Sequence, residues 1–295
     1  MLDRAHQNVL FNNYSPPKKQ LLKWIGSKWQ NAHVITKCFP HKFNRYLEPF
    51  LGSAAILGTV SPKIGIGSDT FEPLIEIWRT LKENPKLLVT WYAERINLIG
   101  KASKGEIYEN VKRSYNSNPN GADFLFLSRT CYGGVIRFRK VDNFMSTPCG
   151  VHTPISVSAF EERVSIWSER VKNTTFLNCD YNNAFEYAEE GDLIYCDPPY
   201  QNSQRILYGA QTFCIDELFE CIKEAKSRGV FVALSIDGRD NHASNLTGIQ
   251  IPKNLFETEV SIDLGHSLLR RFQKMGEKMV DEFVSDRLLL TYKLE

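Results

Sequence analysis

The chain has 295 residues, with 36 Lys+Arg against 34 Asp+Glu, 42% hydrophobic residues and 24% charged ones. That balance excludes wholesale disorder, no run approaches the roughly 18 apolar residues of a membrane-spanning helix, and the opening residues lack the charged start and apolar core of a secretory leader. A net charge of +2 excludes a strongly basic polyanion binder, so nucleic-acid affinity would have to come from local clusters.

Residues 1–17 close on Ser15-Pro16-Pro17 and are expected to form an arm. From Leu47 the string LEPFLGSAAILG reads as a short strand, a glycine turn and the start of a helix. Residues 64–69 read as a second short strand ending on Asp69. Pro73 suits the first turn of a helix, and Leu74, Ile77, Trp78 and Leu81 recur at i, i+3, i+4, i+7 until Asn84-Pro85 ends the pattern. Between 86 and 169, apolar helix-like segments at 87–99 and 124–128 alternate with Gly/Asn/Ser/Pro stretches at 114–121 and 146–154. The α/β rhythm then resumes, with strands expected at 175–177, 193–196, 230–236 and 288–292 and a helix at 216–228. This order predicts a doubly wound α/β sheet with helices on both faces. The α/β domain would comprise residues 18–85 and 170–295, interrupted by an inserted lobe at 86–169. Seven cysteines, an odd number with no C-x-x-C pair, point to a reducing compartment. His33, Cys38 and His41 fit no common metal spacing, and no metal is expected.

The most informative string is Asp197-Pro198-Pro199-Tyr200, directly after the apolar run 193–196. Two successive prolines supply no N–H and cannot continue a central strand, so the strand must stop at Asp197 and leave its carboxylate in the ligand crevice. A carboxylate, a stiffly held Pro198 carbonyl and the flat face of Tyr200 together suit an exocyclic amine on a planar base. The lone pair of adenine N6 is delocalised into the ring. Two acceptors, each taking one N–H, would draw that nitrogen toward tetrahedral geometry, while Tyr200 stacks on a flipped base. Cys196, just before the motif, reads as a buried strand residue rather than a nucleophile.

With this tetrapeptide the chain resembles the Dam-like class (D12, alpha group) of DNA adenine N6-methyltransferases. Leu22-Lys23-Trp24-Ile25-Gly26-Ser27-Lys28 resembles the family's L-K-W-x-G-x-K motif, and Glu48-Pro49-Phe50-Leu51-Gly52 its E-P-F-x-G motif. Ser68-Asp69 matches the acidic residue after the second strand, and the order holds from about residue 21 to 292. One departure is Ala54, where the family's turn usually has a further glycine. The resemblance implies a Rossmann-like S-adenosylmethionine-dependent methyltransferase sheet with an inserted helical and β-hairpin DNA-recognition lobe. It implies S-adenosylmethionine as cofactor, S-adenosylhomocysteine as product, and contacts from Trp24, Lys28, Phe50, Gly52, Asp69 and Asp197. Lys28 can pair with the methionine carboxylate. Asp69 can accept from ribose hydroxyls or, on the other reading, cap the helix near Pro73. The chemistry would be direct in-line transfer to N6 with no covalent enzyme intermediate, and Asp197 would act as acceptor and orienter rather than as a complete proton sink.

Residues 128–140 carry four cations and no acid, with Gly133-Gly134 suited to a hairpin tip entering a major groove. The stretch resembles the family's N-R-x-x-Y-N-G-x-x-R-x-N pattern, although Ser128, Gly133 and Arg139 replace its asparagines. Arg129, Tyr132, Arg137 and Arg139 are expected to bind DNA, as are Arg270 and Arg271 in the second basic segment, 267–278. The expected activity is site-specific methylation of duplex DNA in a prokaryotic or phage-encoded cytoplasmic enzyme, as part of a restriction–modification system whose endonuclease acts separately, or as a solitary enzyme. The alternatives are an RNA adenine or cytosine-N4 methyltransferase, or a DNA-binding relative without turnover.

Overall fold

Short buried runs that end in turn residues assemble into one sheet in the computed structural model, which describes residues 14–199, 213–237, 250–263 and 285–294. The strands are β1 (Tyr46–Glu48), β2 (Gly65–Asp69), β3 (Thr174–Asn178), β4 (Leu193–Cys196), β5 (Phe231–Asp237), β6 (Thr258–Asp263) and β7 (Ser285–Leu290). They lie in the order β3-β2-β1-β4-β5-β7-β6. The first five run parallel, whereas β7 is antiparallel to both β5 and β6. The helices are α1 (Ala32–Ile35), α2 (Ala55–Val60), α3 (Glu72–Glu83), α4 (Pro85–Ile96), α5 (Lys104–Ser117), α6 (Gly121–Thr130), α7 (Val157–Val171), α8 (Tyr181–Glu186) and α9 (Ile215–Ser227).

Side chains alternate across a strand, so one sheet feeds two cores. Tyr46, Phe176, Leu193, Tyr195 and Leu288 join the core built with α2, α3, α6 and α7. Leu47, Ile194, Cys196, Val232 and Leu289 join the core built with α8 and α9. This is the doubly wound, Rossmann-like arrangement expected. Residues of the segment expected as an insertion, including Tyr92, Tyr108, Phe124, Phe160 and Trp167, belong to the first of these cores and share it with the sheet. Asn84 does more than end α3: its side chain accepts from the Leu87 N–H and starts α4 one residue later. Helices α5 and α7 and strand β6 were not legible as separate elements in the sequence.

The basic stretch 128–140 departs from expectation. Residues 128–130 finish α6, and Tyr132–Gly134 form a 3₁₀ turn rather than a hairpin tip. Antiparallel pairing occurs further on, at Phe138 and Met145, with Arg139 and Asn143 closing the turn between them. Arg129 is only 5% exposed, which corrects its assignment to DNA. Its guanidinium donates to the Leu21 carbonyl and lies 5.6 Å from the centre of the Phe160 ring, and burial pulls its pKa down to about 10.

That interior role belongs to a larger device. Arg163, Trp167 and Arg170 recur along one face of α7. They donate to the carbonyls of Gln20, Lys19 and Ser15 at 2.7, 2.8 and 2.7 Å respectively. Together with Arg129 they hold the segment 15–21 against the body and carry 24–28 to the sheet. Trp167 is central to it: it is 1% exposed and lies 5.5 Å from Trp78, and its ring fills the space a Cβ on Gly58 would need. Trp167→Ala should therefore lower unfolding stability by about 3–5 kcal/mol, the usual loss for a large buried aromatic, as read from the denaturant midpoint.

Candidate active site at the switch point of the sheet

Strand order reverses around β1, which has β2 on one side and β4 on the other. Ligands of open α/β sheets bind beyond the carboxyl ends of the strands at such a point. A cavity of about 620 Å³ lies there. Trp24, Lys28, Phe50, Gly52, Asp69, Asp197 and Pro199 all line it, so residues far apart in sequence meet in one place. Pro198 is buried behind them. Tyr200, Arg270 and Arg271 lie outside the described residues.

The turn after β1 is tight. Gly52 has φ +44°, and a Cβ on it would come within 2.8 Å of Trp24 Nε1. The Gly52 carbonyl accepts from Trp78 Nε1 at 3.1 Å. Ala54, the residue that departs from the glycine pattern, nevertheless adopts φ 51° and ψ 31°. It takes the left-handed conformation at a cost on the order of 1 kcal/mol, and the turn is retained. Asp69 ties the second strand to this turn. One of its oxygens accepts from the Gly52 N–H and the other from the Phe71 N–H, each at 3.1 Å. Helix α3 has Phe71 as its N-cap, so Asp69 is not that cap. Burial raises the Asp69 pKa against the lowering effect of these N–H groups. Asp69 also lines the cavity.

At the β4 end the dominant feature is an ion trio. Lys28 Nζ lies 2.9 Å from Asp197 Oδ1 and 3.1 Å from Asp286 Oδ2. Burial works against the ammonium, but the two carboxylates outweigh it and hold Lys28 above the ordinary lysine range. For Asp197 burial prevails over the Lys28 charge, and the carboxyl is pushed up to about 6. Lys28 was expected to pair with a ligand carboxylate; here its charge is engaged by two carboxylates of the chain itself. Glu48, at the end of β1, accepts from the Tyr46 hydroxyl at 2.7 Å, yet burial pushes it up to about 8, so it is mostly protonated at neutral pH. Among the described residues, one ammonium stands against two carboxylates at this end of the cavity, an arrangement suited to a cationic ligand centre. Cys196 is fully buried and its thiol is pushed well above its ordinary range, which suits an inert strand residue.

The sequence reading gave no role to Glu48, Tyr181, Asn143 or Asp286. Tyr181 lines the cavity and stacks on Phe50 at 5.3 Å. Its signal was present: Asp180-Tyr181 follows β3 as Asp69 closes β2. Asn143 reaches the cavity from the insertion. Asp286 carried no local signal.

Because its folded pKa is raised above the ordinary carboxylate value, Asp197 favours the fold when protonated, and that contribution is lost as pH rises through about 6. Asp197→Asn removes this burden and leaves Lys28 paired with Asp286. The variant should melt about 2–4 °C higher than wild type at pH 8, the shift of about 1 kcal/mol in a protein of this size, and the gap should narrow by pH 5. Melting followed by circular dichroism at both pH values checks this.

Residues 24–262 match the D12 class N6 adenine-specific DNA methyltransferase family. Among similar proteins is the DNA adenine methylase of Haemophilus influenzae, 29% identical over 206 residues that cover 64% of this chain and 70% of the relative. The type II methyltransferase M1.LlaDCHI of Lactococcus lactis subsp. cremoris is 26% identical over 230 residues, 72% of this chain and 79% of the relative. The type II methyltransferase M.MjaIII of Methanocaldococcus jannaschii is 28% identical over 202 residues, covering 62% and 69%. The family match begins at Trp24, beside the Gly52 turn, and runs through the insertion and the Asp197 corner to Ile262 in β6, so the chain belongs to the D12 class N6 adenine-specific DNA methyltransferases.

Proposed function

We propose that this adenine-specific DNA methyltransferase receives a flipped adenine beside Asp197, with S-adenosylmethionine held at the Gly52–Asp69 end of the same cavity. The observation that carries the reading is that Asp197 and Pro199, after β4, open onto one cavity with Gly52 and Asp69, after β1 and β2. Its volume of about 620 Å³ is that of a small-molecule site. The lone pairs of Asp69 suit a ribose diol, Phe50 and Tyr181 suit a purine, and the negative β4 end suits a sulfonium.

When bound, S-adenosylmethionine supplies the methyl group on a sulfonium and departs as S-adenosylhomocysteine. Asp197 accepts one N6–H and the Pro198 carbonyl the other, which frees the nitrogen lone pair. Positive charge then develops on N6, and the carboxylates at the β4 end stabilise it. The sequence-based expectation of an orienter alone is revised here: with its pKa raised, Asp197 is a better acceptor than an ordinary carboxylate and takes the surplus N6 proton. Tyr200, outside the described residues, keeps its sequence-based role as stacking plate.

For the grip on DNA we assign the exposed face of the insertion. Tyr132, Arg137 and Arg139 are exposed there. Arg139 lies over Phe144 at 4.3 Å and pairs with Asp142, an exposed pair that a phosphate can displace. Arg270 and Arg271 are assigned to DNA on sequence alone. The type II names of two relatives support a place beside a separate restriction endonuclease, in the cytoplasm where such DNA is. No described helix is long and apolar enough to cross a membrane.

Two outcomes are expected. Asp197→Ala should lower single-turnover methylation by about 10²–10³-fold while DNA still binds, and the wild-type rate should rise as pH passes through about 6, where Asp197 ionises. Radiolabelled methyl transfer measured from pH 5 to 8 checks both. Arg137→Ala should reduce the salt slope of DNA affinity by about 1, whereas Arg129→Ala should leave the slope unchanged and reduce stability, as read by titrating DNA at several salt concentrations.

A further inference from the structure

We propose that Asp286, on β7, is a positioning residue for methyl transfer: by holding the Lys28 ammonium it keeps that charge from being given wholly to Asp197, so that the Asp197 carboxylate stays available to the adenine amine. The inference rests on the function proposed above, since it takes Asp197 as the group that meets N6.

Five parallel strands present their last residues to the ligand end of the sheet. Strand β7 is antiparallel to β5, so it presents its first residues there instead. Asp286 is the second residue of β7 and stands opposite Asp237, the last residue of β5. An acid placed here can reach the site without lying in any loop of the ligand crevice.

Asp286 is 2% exposed, and a buried carboxylate is costly unless paired. Its Oδ2 lies 3.1 Å from Lys28 Nζ, which lies 2.9 Å from Asp197 Oδ1 on its other side. An ammonium shared between two carboxylates orients both and neutralises neither. Were Asp286 uncharged, Lys28 would turn its full charge on Asp197 and weaken it as an acceptor for a third group. Among the described residues, the other groups facing this corner do not replace that charge. Glu48 of β1 is mostly protonated at neutral pH, and the Tyr195 hydroxyl of β4 is 2.9 Å from Ser235 Oγ of β5. Among the described residues, Lys28 and Asp286 are the groups with the most direct electrostatic effect on Asp197, Lys28 lowering its pKa and Asp286 raising it. Asp286 therefore tunes the group that Lys28 orients.

The test uses the full-length protein, its Asp286→Asn variant and an Asp197→Asn control. In the ligand-free protein, the infrared carboxyl band that disappears in Asp197→Asn gives the Asp197 titration directly. In Asp286→Asn that titration should move down by about one pH unit, because a negative neighbour has been removed. With S-adenosylmethionine and unmodified plasmid DNA, kcat should fall 10- to 100-fold and the acid limb of its pH profile should move down in step, while KM for S-adenosylmethionine changes less than threefold. Asp286→Ser gives the same readings should the amide variant fail to fold. An unmoved titration, or a rate within twofold of wild type, would overturn the proposal, as would a fall in rate explained by a lowered melting point with the acid limb unmoved. A wild-type protein that transfers no methyl group to DNA would overturn the assigned function and this inference together. An active wild type with an unaffected Asp286→Asn would overturn the inference alone.

Discussion

The site is organised by one buried ammonium. Lys28, almost fully enclosed, is held between Asp197 after β4 and Asp286 in β7, at 2.9 and 3.1 Å. Three charges taken out of water are a poor source of stability on their own. They persist because three separate pieces of chain are each fixed independently: the sheet fixes β4 and β7, and the N-terminal segment is fixed by donors from α6 and α7. The carbonyls of Ser15, Lys19, Gln20 and Leu21 are all accounted for by Arg170, Trp167, Arg163 and Arg129. Residues 86–171 thus hold, through Arg129, Arg163, Trp167 and Arg170, the segment that brings Trp24 and Lys28 to the cavity.

The same corner shows where stability yields to chemistry. A left-handed alanine follows a glycine pressed against Trp24, and a carboxylate with pKa raised to about 6 sits beside a mostly protonated Glu48. Each is locally unfavourable. They meet at one cavity at the strand ends, lined on one side by Asp69, Phe50 and Tyr181 and on the other by Lys28 and Asp197. Local conflict of this kind is the usual mark of a functional site in an otherwise consistent fold.

Much of this is legible in the amino-acid sequence. Proline pairs end strands, so Asp197 had to stand at the strand edge. The i, i+3, i+4 spacing of Leu74, Ile77, Trp78 and Leu81 had to make a helix, and the alternation of elements had to make a doubly wound sheet. What escaped was non-local. An arginine in a basic run looks the same whether it meets phosphate or a carbonyl 108 residues away, as Arg129 does at Leu21. Lys28 could be placed in the site by its motif, but its partners Asp197 and Asp286 lie more than 160 residues further along the chain, and nothing near Asp286 marks it. The double glycine at 133–134 looked like a hairpin tip, because turn chemistry alone does not say which strands pair.

The account is tested most directly by the identity of its product. Plasmid DNA treated with the wild-type protein and S-adenosylmethionine, then read by sequencing that distinguishes modified bases, should carry N6-methyladenine at one recurring word. Methyl groups on cytosine, or modification at an undiminished rate when Asp197 is replaced by alanine, would contradict the assignment of this corner.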